Sequence, residues 1–197
     1  MTDEARRVSS RGERELAGGT VIWLFVCVEL LTFGLFFIGF AIARRSDPEQ
    51  FRAGQEQLHA LSGAINTAVL LCGGWLAARG VLANRSAKPK QAAKFLFAAA
   101  ISGIVFMAIK ANEYADVFAA GRTLSTNTFW FFYLFVTGLH FLHVLAGVGF
   151  LLPTAWRAWK GDYGPNEASS IEAVAVFWHL VDLIWIFLFP LFYLVRF

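Results

Sequence analysis

Five apolar stretches, each longer than 20 residues, run through this chain at residues 20–43, 58–80, 92–118, 128–152 and 172–195. A helix needs ~20 apolar residues to cross the hydrocarbon of a bilayer. In lipid the backbone must satisfy its own N–H and C=O groups, which a helix does and an open strand does not. The expected fold is all-α: a polytopic membrane protein built as a five-transmembrane-helix bundle. Hydrophobic residues make up 57% of the chain, above the roughly 45–50% of soluble domains. The first stretch ends in Ala-Ile-Ala, which mimics a signal-peptidase site, but a signal peptide's apolar core is only ~7–15 residues long. A retained first helix is expected, with residues 1–18 as a cytoplasmic segment and residues 19–197 as the membrane domain.

The formal charge of +3 does not point to nucleic acid, because the cations lie between the apolar runs and serve topology. With the N-terminus inside, eleven Lys and Arg residues fall on the cytoplasmic side and six on the other. The link after the second span decides it most clearly, with Arg79, Arg85, Lys88, Lys90 and Lys94 and no acid. A multi-pass protein of a bacterial inner membrane is expected, C-terminus in the periplasm. Cys27 and Cys72 lie within spans and form no CxxC, so they read as small buried apolar residues. Gly74 with Ala78, and Ala99 with Gly103, are small-xxx-small pairs that let helices approach closely. Asn127 or Ser125 is placed to cap the fourth span. Trp130, Trp156 and Trp159 sit near span ends, as interfacial anchors do. Trp178 and Trp185 are seven residues apart on one helix face and are suited to packing against a partner subunit. No Walker A, GxGxxG, HExxH or nucleophile-elbow motif is present.

Glu29, His140, His143, His179 and Asp182 lie deep inside apolar spans. An ionisable side chain at mid-bilayer costs at least ~2.5–3.5 kcal/mol and turns inward to find a partner. At ~1.5 Å of rise per residue, Glu29, His143 and Asp182 all lie ~14 Å from the cytoplasmic side. His140 with His143, and His179 with Asp182, each share a helix face. The five are expected to meet in one layer, with His179 and Asp182 facing the first and fourth spans. Three roles are open to them: a hydrogen-bonded network fixing the packing, proton handling, or ligation of one haem by His140 or His143 opposite His179. A second polar group, Lys110, Glu113 and Tyr114, sits near the outer end of the third span. There it marks either the water interface, with Tyr114 as anchor, or a contact within the bundle.

The segments TGLHFLHVLAG (137–147) and EAVAVFWHLVDLIWIFLF (172–189), with KANEY (110–114) and VELLTFG (28–34), resemble subunit III of the haem–copper oxidases. The resemblance implies a subunit without haem, copper or another cofactor. Such a subunit docks on the haem-bearing catalytic subunit of a respiratory complex, supports its assembly and sustained turnover, and contacts membrane lipids. It also aligns Glu29 with the family's carbodiimide-reactive glutamate, and Glu113, His140, His143, His179 and Asp182 with its buried polar positions. Longer family members have seven helices, and this chain matches from the third. Lys110 stands where oxidase members usually carry Gln, and Phe141 where they carry Gly. With DPEQFRAGQ and SGAINTAVLL, these departures are most similar to the five-helix accessory protein of bacterial nitric oxide reductase; subunit III of a cytochrome c or quinol oxidase is the alternative. Outside the family, a b-haem membrane anchor or a small ion or proton transporter would also use intramembrane histidines and carboxylates.

Overall fold

A computed structural model describes residues 17–163 and 168–195. The N-terminal arginines that enter the topology count, Arg6, Arg7, Arg11 and Arg14, lie outside the described residues, as does Arg196. The described residues form α1 (Thr20–Ser46), α2 (Pro48–Gln55), α3 (Ala60–Arg85), α4 (Pro89–Ala119), α5 (Thr128–Lys160) and α6 (Ala168–Phe189). A π-helical turn, Pro190–Leu194, continues α6. Among the described residues five helices are long and apolar enough to cross a membrane. The architecture is an all-α five-helix membrane bundle. Each expected span is present, and several run a turn or more past their apolar core, as Thr128–Lys160 does.

Local chemistry sets the ends. Asn127 caps α5 by accepting from the Trp130 N–H at 2.9 Å, satisfying one of the donors a helix start leaves free. Gly161 ends the same helix in the left-handed region (φ 80°), a conformation in which a Cβ would be strained. The short α2, not foreseen from the sequence, starts at Pro48 with Asp47 as its cap. It folds the first link inward, burying Phe51 against Phe40 and Phe129 at 5.0 and 5.8 Å.

Helices α3, α4, α5 and α6 form a closed ring, each packed on two neighbours, and α1 lies more loosely over α5 and α6. On α1 only Val26, Phe33 and Phe40 are buried, a row repeating every seven residues, while Val21, Leu24, Val28, Leu31, Leu35, Ile38 and Ile42 face outward. Such a stripe is what a helix presents to lipid or to another membrane subunit. Cys27 and Cys72 also point outward, which corrects the expectation that they are buried.

Trp178 sits at the centre of the ring and is fully buried. Its indole fills a notch made by glycines on three helices. A Cβ on Gly73, Gly103 or Gly147 would stand 3.3, 2.6 or 2.8 Å from the ring. Trp185 is buried on the same helix, so the two tryptophans serve the chain's own core rather than a partner. Trp130 is buried too, with the Arg122 guanidinium over its ring at 5.0 Å. Trp156 and Trp159 are exposed near the end of α5, where an interfacial belt belongs.

Gly147→Ala and Gly103→Ala should each destabilise the bundle by about 1–3 kcal/mol through overpacking against Trp178. Gly138→Ala, with open space around its Cβ, should be neutral. Thermal unfolding of the three variants in mild detergent checks this.

Candidate functional site

The tightest polar site is built around the side chain that should cost most in lipid. Lys110 is fully buried on α4. Its ammonium donates to Glu113 Oε1 at 3.2 Å, Tyr133 Oη at 2.9 Å and Tyr193 Oη at 2.7 Å. An ammonium has three donors, and all three are used. Both tyrosine hydroxyls donate onward to the same carboxylate oxygen, Tyr193 at 2.5 Å. The rings of Tyr133, Tyr114, Tyr193 and Trp185 surround the ammonium at 4.6, 5.1, 5.3 and 5.5 Å from their centroids. Cation–π attraction strengthens where water is excluded. The charges of Lys110 and Glu113 cancel, so the cluster is a neutral unit inside the bundle. Of the two readings of this group, the structure gives the contact within the bundle; Tyr114 is half-buried, with its hydroxyl on Thr137 Oγ1 at 2.8 Å.

Three separate elements deliver these residues. Lys110 and Glu113 share a face of α4 by their i,i+3 spacing, and Tyr133 comes from α5. Tyr193 arrives through the π turn, where the Val195 N–H reaches back to the Pro190 carbonyl at 2.9 Å. Proline has no N–H and cannot continue the regular ladder; the widened turn buries Phe192 and Tyr193 together. The fully buried Gln55 of α2 donates to the Leu191 carbonyl at 2.9 Å, tying this irregular backbone to the first link.

The five intramembrane residues singled out from the sequence are not joined in one network. Glu29 Oε2 lies 3.2 Å from His143 Nε2, joining α1 to α5. His143 Nδ1 lies 2.8 Å from the Leu139 carbonyl, which can only accept, so this nitrogen donates there. Asp182 stands apart. Its Oδ2 lies 3.9 Å from His179 Nδ1 on the same helix, beyond hydrogen-bond length, and the carboxylate closes over Gly74 of α3. His179 is half exposed. The expectation that these two face the first and fourth spans is corrected: they face the second span, because the glycine there leaves room for a carboxylate. His140 is fully buried, stacked on Trp185 at 5.2 Å and edge-on to Phe106 at 5.6 Å, with a hydrogen-bond partner on neither nitrogen. Glu172 binds Arg85 at 2.7 Å, clasping α6 to the end of α3. Among the described residues, no three His, Cys, Asp or Glu side chains are grouped to hold a metal ion.

Sequence reasoning missed Tyr193, Gln55 and Asn66. Asn66 had a signal, a buried amide inside an apolar span; Tyr193 had only the preceding proline.

Residues 17–196 match the family model described as cytochrome c oxidase subunit III. The chain belongs to the cytochrome c oxidase subunit III family. Cytochrome c oxidase subunit 3 of Synechocystis sp. is 31% identical over 172 residues, covering 87% of this chain and 72% of that protein. A probable cytochrome c oxidase subunit 3 of Nocardia farcinica is 28% identical over 178 residues, covering 90% and 87%. A heme-copper oxidase subunit I+III of Aeropyrum pernix is 28% identical over 182 residues, covering 89% of this chain and 22% of that one.

In this subunit III chain, Tyr193→Phe removes a donor to Glu113 and an acceptor of Lys110. An unmet buried partner costs about 1–3 kcal/mol, and a loss of that size is expected in detergent unfolding. Tyr114→Phe, which severs only the bond to Thr137, should cost less.

Proposed function

We propose that this chain is a cofactor-free accessory subunit docked on the haem-bearing catalytic subunit of a haem–copper respiratory complex, supporting its assembly and sustained turnover. It sits in a bacterial inner membrane with its N-terminus in the cytoplasm and its C-terminus in the periplasm. Family membership over nearly the whole chain carries this reading. The buried polar groups support it, since the clearest of them, Lys110 with Glu113 and Glu29 with His143, satisfy one another within the chain.

The names of the relatives favour an oxygen-reducing partner. The relative named heme-copper oxidase subunit I+III supports direct contact with the catalytic subunit, since its name joins both subunits in one chain. A nitric oxide reductase is the second reading. It rests on Lys110, which makes the buried cluster an ion pair where the resemblance to oxidase members leads one to expect Gln. Within either complex the Glu29–His143 pair is the proton-handling element, because it sets a carboxylate against an imidazole across two helices within the membrane span.

Gentle detergent pull-down of the tagged chain should bring down a haem-bearing subunit, while the separated chain is colourless. Oxygen or nitric oxide consumption by the eluate names the branch. A haem band retained by the chain alone and lost on changing His140, His143 or His179 would replace this reading with a b-haem anchor. Absence of any partner would favour a transporter. Glu29→Gln should assemble normally, because its amide can still donate to His143, and should shorten sustained turnover. Loss of the protein from the membrane would instead make the pair a packing contact.

A further inference from the structure

The Lys110 cluster leaves one of its own atoms unserved. Glu113 Oε1 accepts from Lys110, Tyr133 and Tyr193. Its Oε2 is also buried and takes a hydrogen bond from no described residue. A buried polar atom left without a partner is costly. Beside Glu113 lies a cavity of about 210 Å³, whose wall also carries His59, Asp116, Ala120, Arg122 and Trp130. Of the cluster, only Glu113 lines it. Trp130 is the second buried residue on this wall with an unserved atom: it is 2% exposed, and its indole N–H donates to no described residue.

Three stretches of chain build the wall. Glu113, Asp116 and Ala120 follow one face of α4 into its cap. His59 stands at the start of α3, and Trp130 in the first turn of α5. Gly121 (φ 72°) closes the end of α4, with the Arg122 N–H bonded to the Val117 carbonyl at 3.1 Å. That turn brings the Arg122 guanidinium back over Trp130 at 5.0 Å. His59, Asp116 and Ala120 are exposed, whereas Glu113 and Trp130 are buried. The cavity therefore runs from the surface to the buried cluster.

The two unserved atoms decide the occupant. Glu113 Oε2 needs a donor, and the Trp130 indole, a donor only, needs an acceptor. An anion would serve the indole but be repelled by the carboxylates of Glu113 and Asp116. A cation would serve the carboxylates but not the indole, and would face the Arg122 guanidinium. Among the described residues, His59, Glu113 and Asp116 are also not grouped to hold a metal ion. Water both donates and accepts, and a polar cavity of this size has room for several molecules, at about 30 Å³ each in the liquid. We infer that the cavity holds a short chain of ordered water that serves Glu113 Oε2 and the Trp130 N–H, and joins the Lys110 cluster to the aqueous phase at this end of the bundle. The cluster is thus closed to lipid and open to water.

X-ray radiolytic footprinting of the purified full chain in detergent tests this, because radicals formed from ordered water mark the side chains beside it. Peptide mass spectrometry reads oxidation of Trp130 and decarboxylation of Glu113. Trp178 and Trp185 are the internal controls: they are 0% and 1% exposed, and neither lines this cavity. Trp178 also has an unserved indole N–H. Trp130 should be oxidised about tenfold faster than either control, since buried water occupies polar cavities and not packed apolar core. Glu113 should be marked along with it. Ala120→Leu, which adds bulk to the wall without touching the cluster, should slow both to the rate of the controls with thermal stability unchanged. Labelling of Trp130 as slow as that of Trp178 in the wild type would make the cavity dry and overturn the inference. So would labelling of Trp130 without Glu113, which would leave the cluster unconnected to water. Fast labelling that persists in folded Ala120→Leu protein would trace it to opening of the α4–α5 link and overturn it too. The wild-type comparison of Trp130 with the two buried tryptophans decides the matter even if the variant does not fold.

Discussion

An ammonium inside hydrocarbon must bring its counter-charge with it. In this bundle that requirement falls on Lys110, and meeting it draws in two helices and the end of a third. Removing one member of a buried charge pair costs about 3–5 kcal/mol, because the other is then stranded. Glu113 therefore has to share the face of α4, Tyr133 fixes the rotation of α5, and Tyr193 fixes where α6 stops being regular. Gln55 extends the constraint to the first link by holding the Leu191 carbonyl. A polar cluster thus organises one end of the bundle, while its middle is organised by shape, with one indole set against three glycines.

The two other acid–histidine arrangements differ in kind from this cluster. Glu29 and His143 are partly exposed and join α1 to the ring where its packing is sparsest. Asp182 is nearly buried, has one oxygen without a partner, and is separated from Glu29 by its place against α3. Proximity in depth did not bring these carboxylates together, because depth along a helix says nothing of which way each face turns.

That distinction marks how far the sequence could be read. The five spans were legible because lipid imposes a length and an apolar composition on each, and Asn127 was legible as a cap because its place before the fourth span suits an N-cap. The family was legible from the paired motifs of the last two spans. The Lys110–Glu113 pair was visible as an i,i+3 spacing, yet nothing local separated a water interface from a buried cage. Its tyrosines come from 23 and 83 residues away, and one reaches the site only through a π turn. The inward fate of Trp178 and Trp185 was likewise hidden, since the glycines that receive Trp178 lie on other helices and read locally as generic small residues. Cys27 and Cys72 misled because a membrane span can bury a residue in lipid without burying it in protein.

The account stands or falls on Lys110 and Glu113 acting as one neutral unit. A double-mutant cycle of Lys110→Met and Glu113→Gln, measured by reversible unfolding in detergent, isolates their coupling. The account predicts that each single variant is less stable than the double, since either leaves a lone charge in the cage and the double leaves none. Additive losses, with the double the least stable of the three, would contradict it and show that the two side chains act independently.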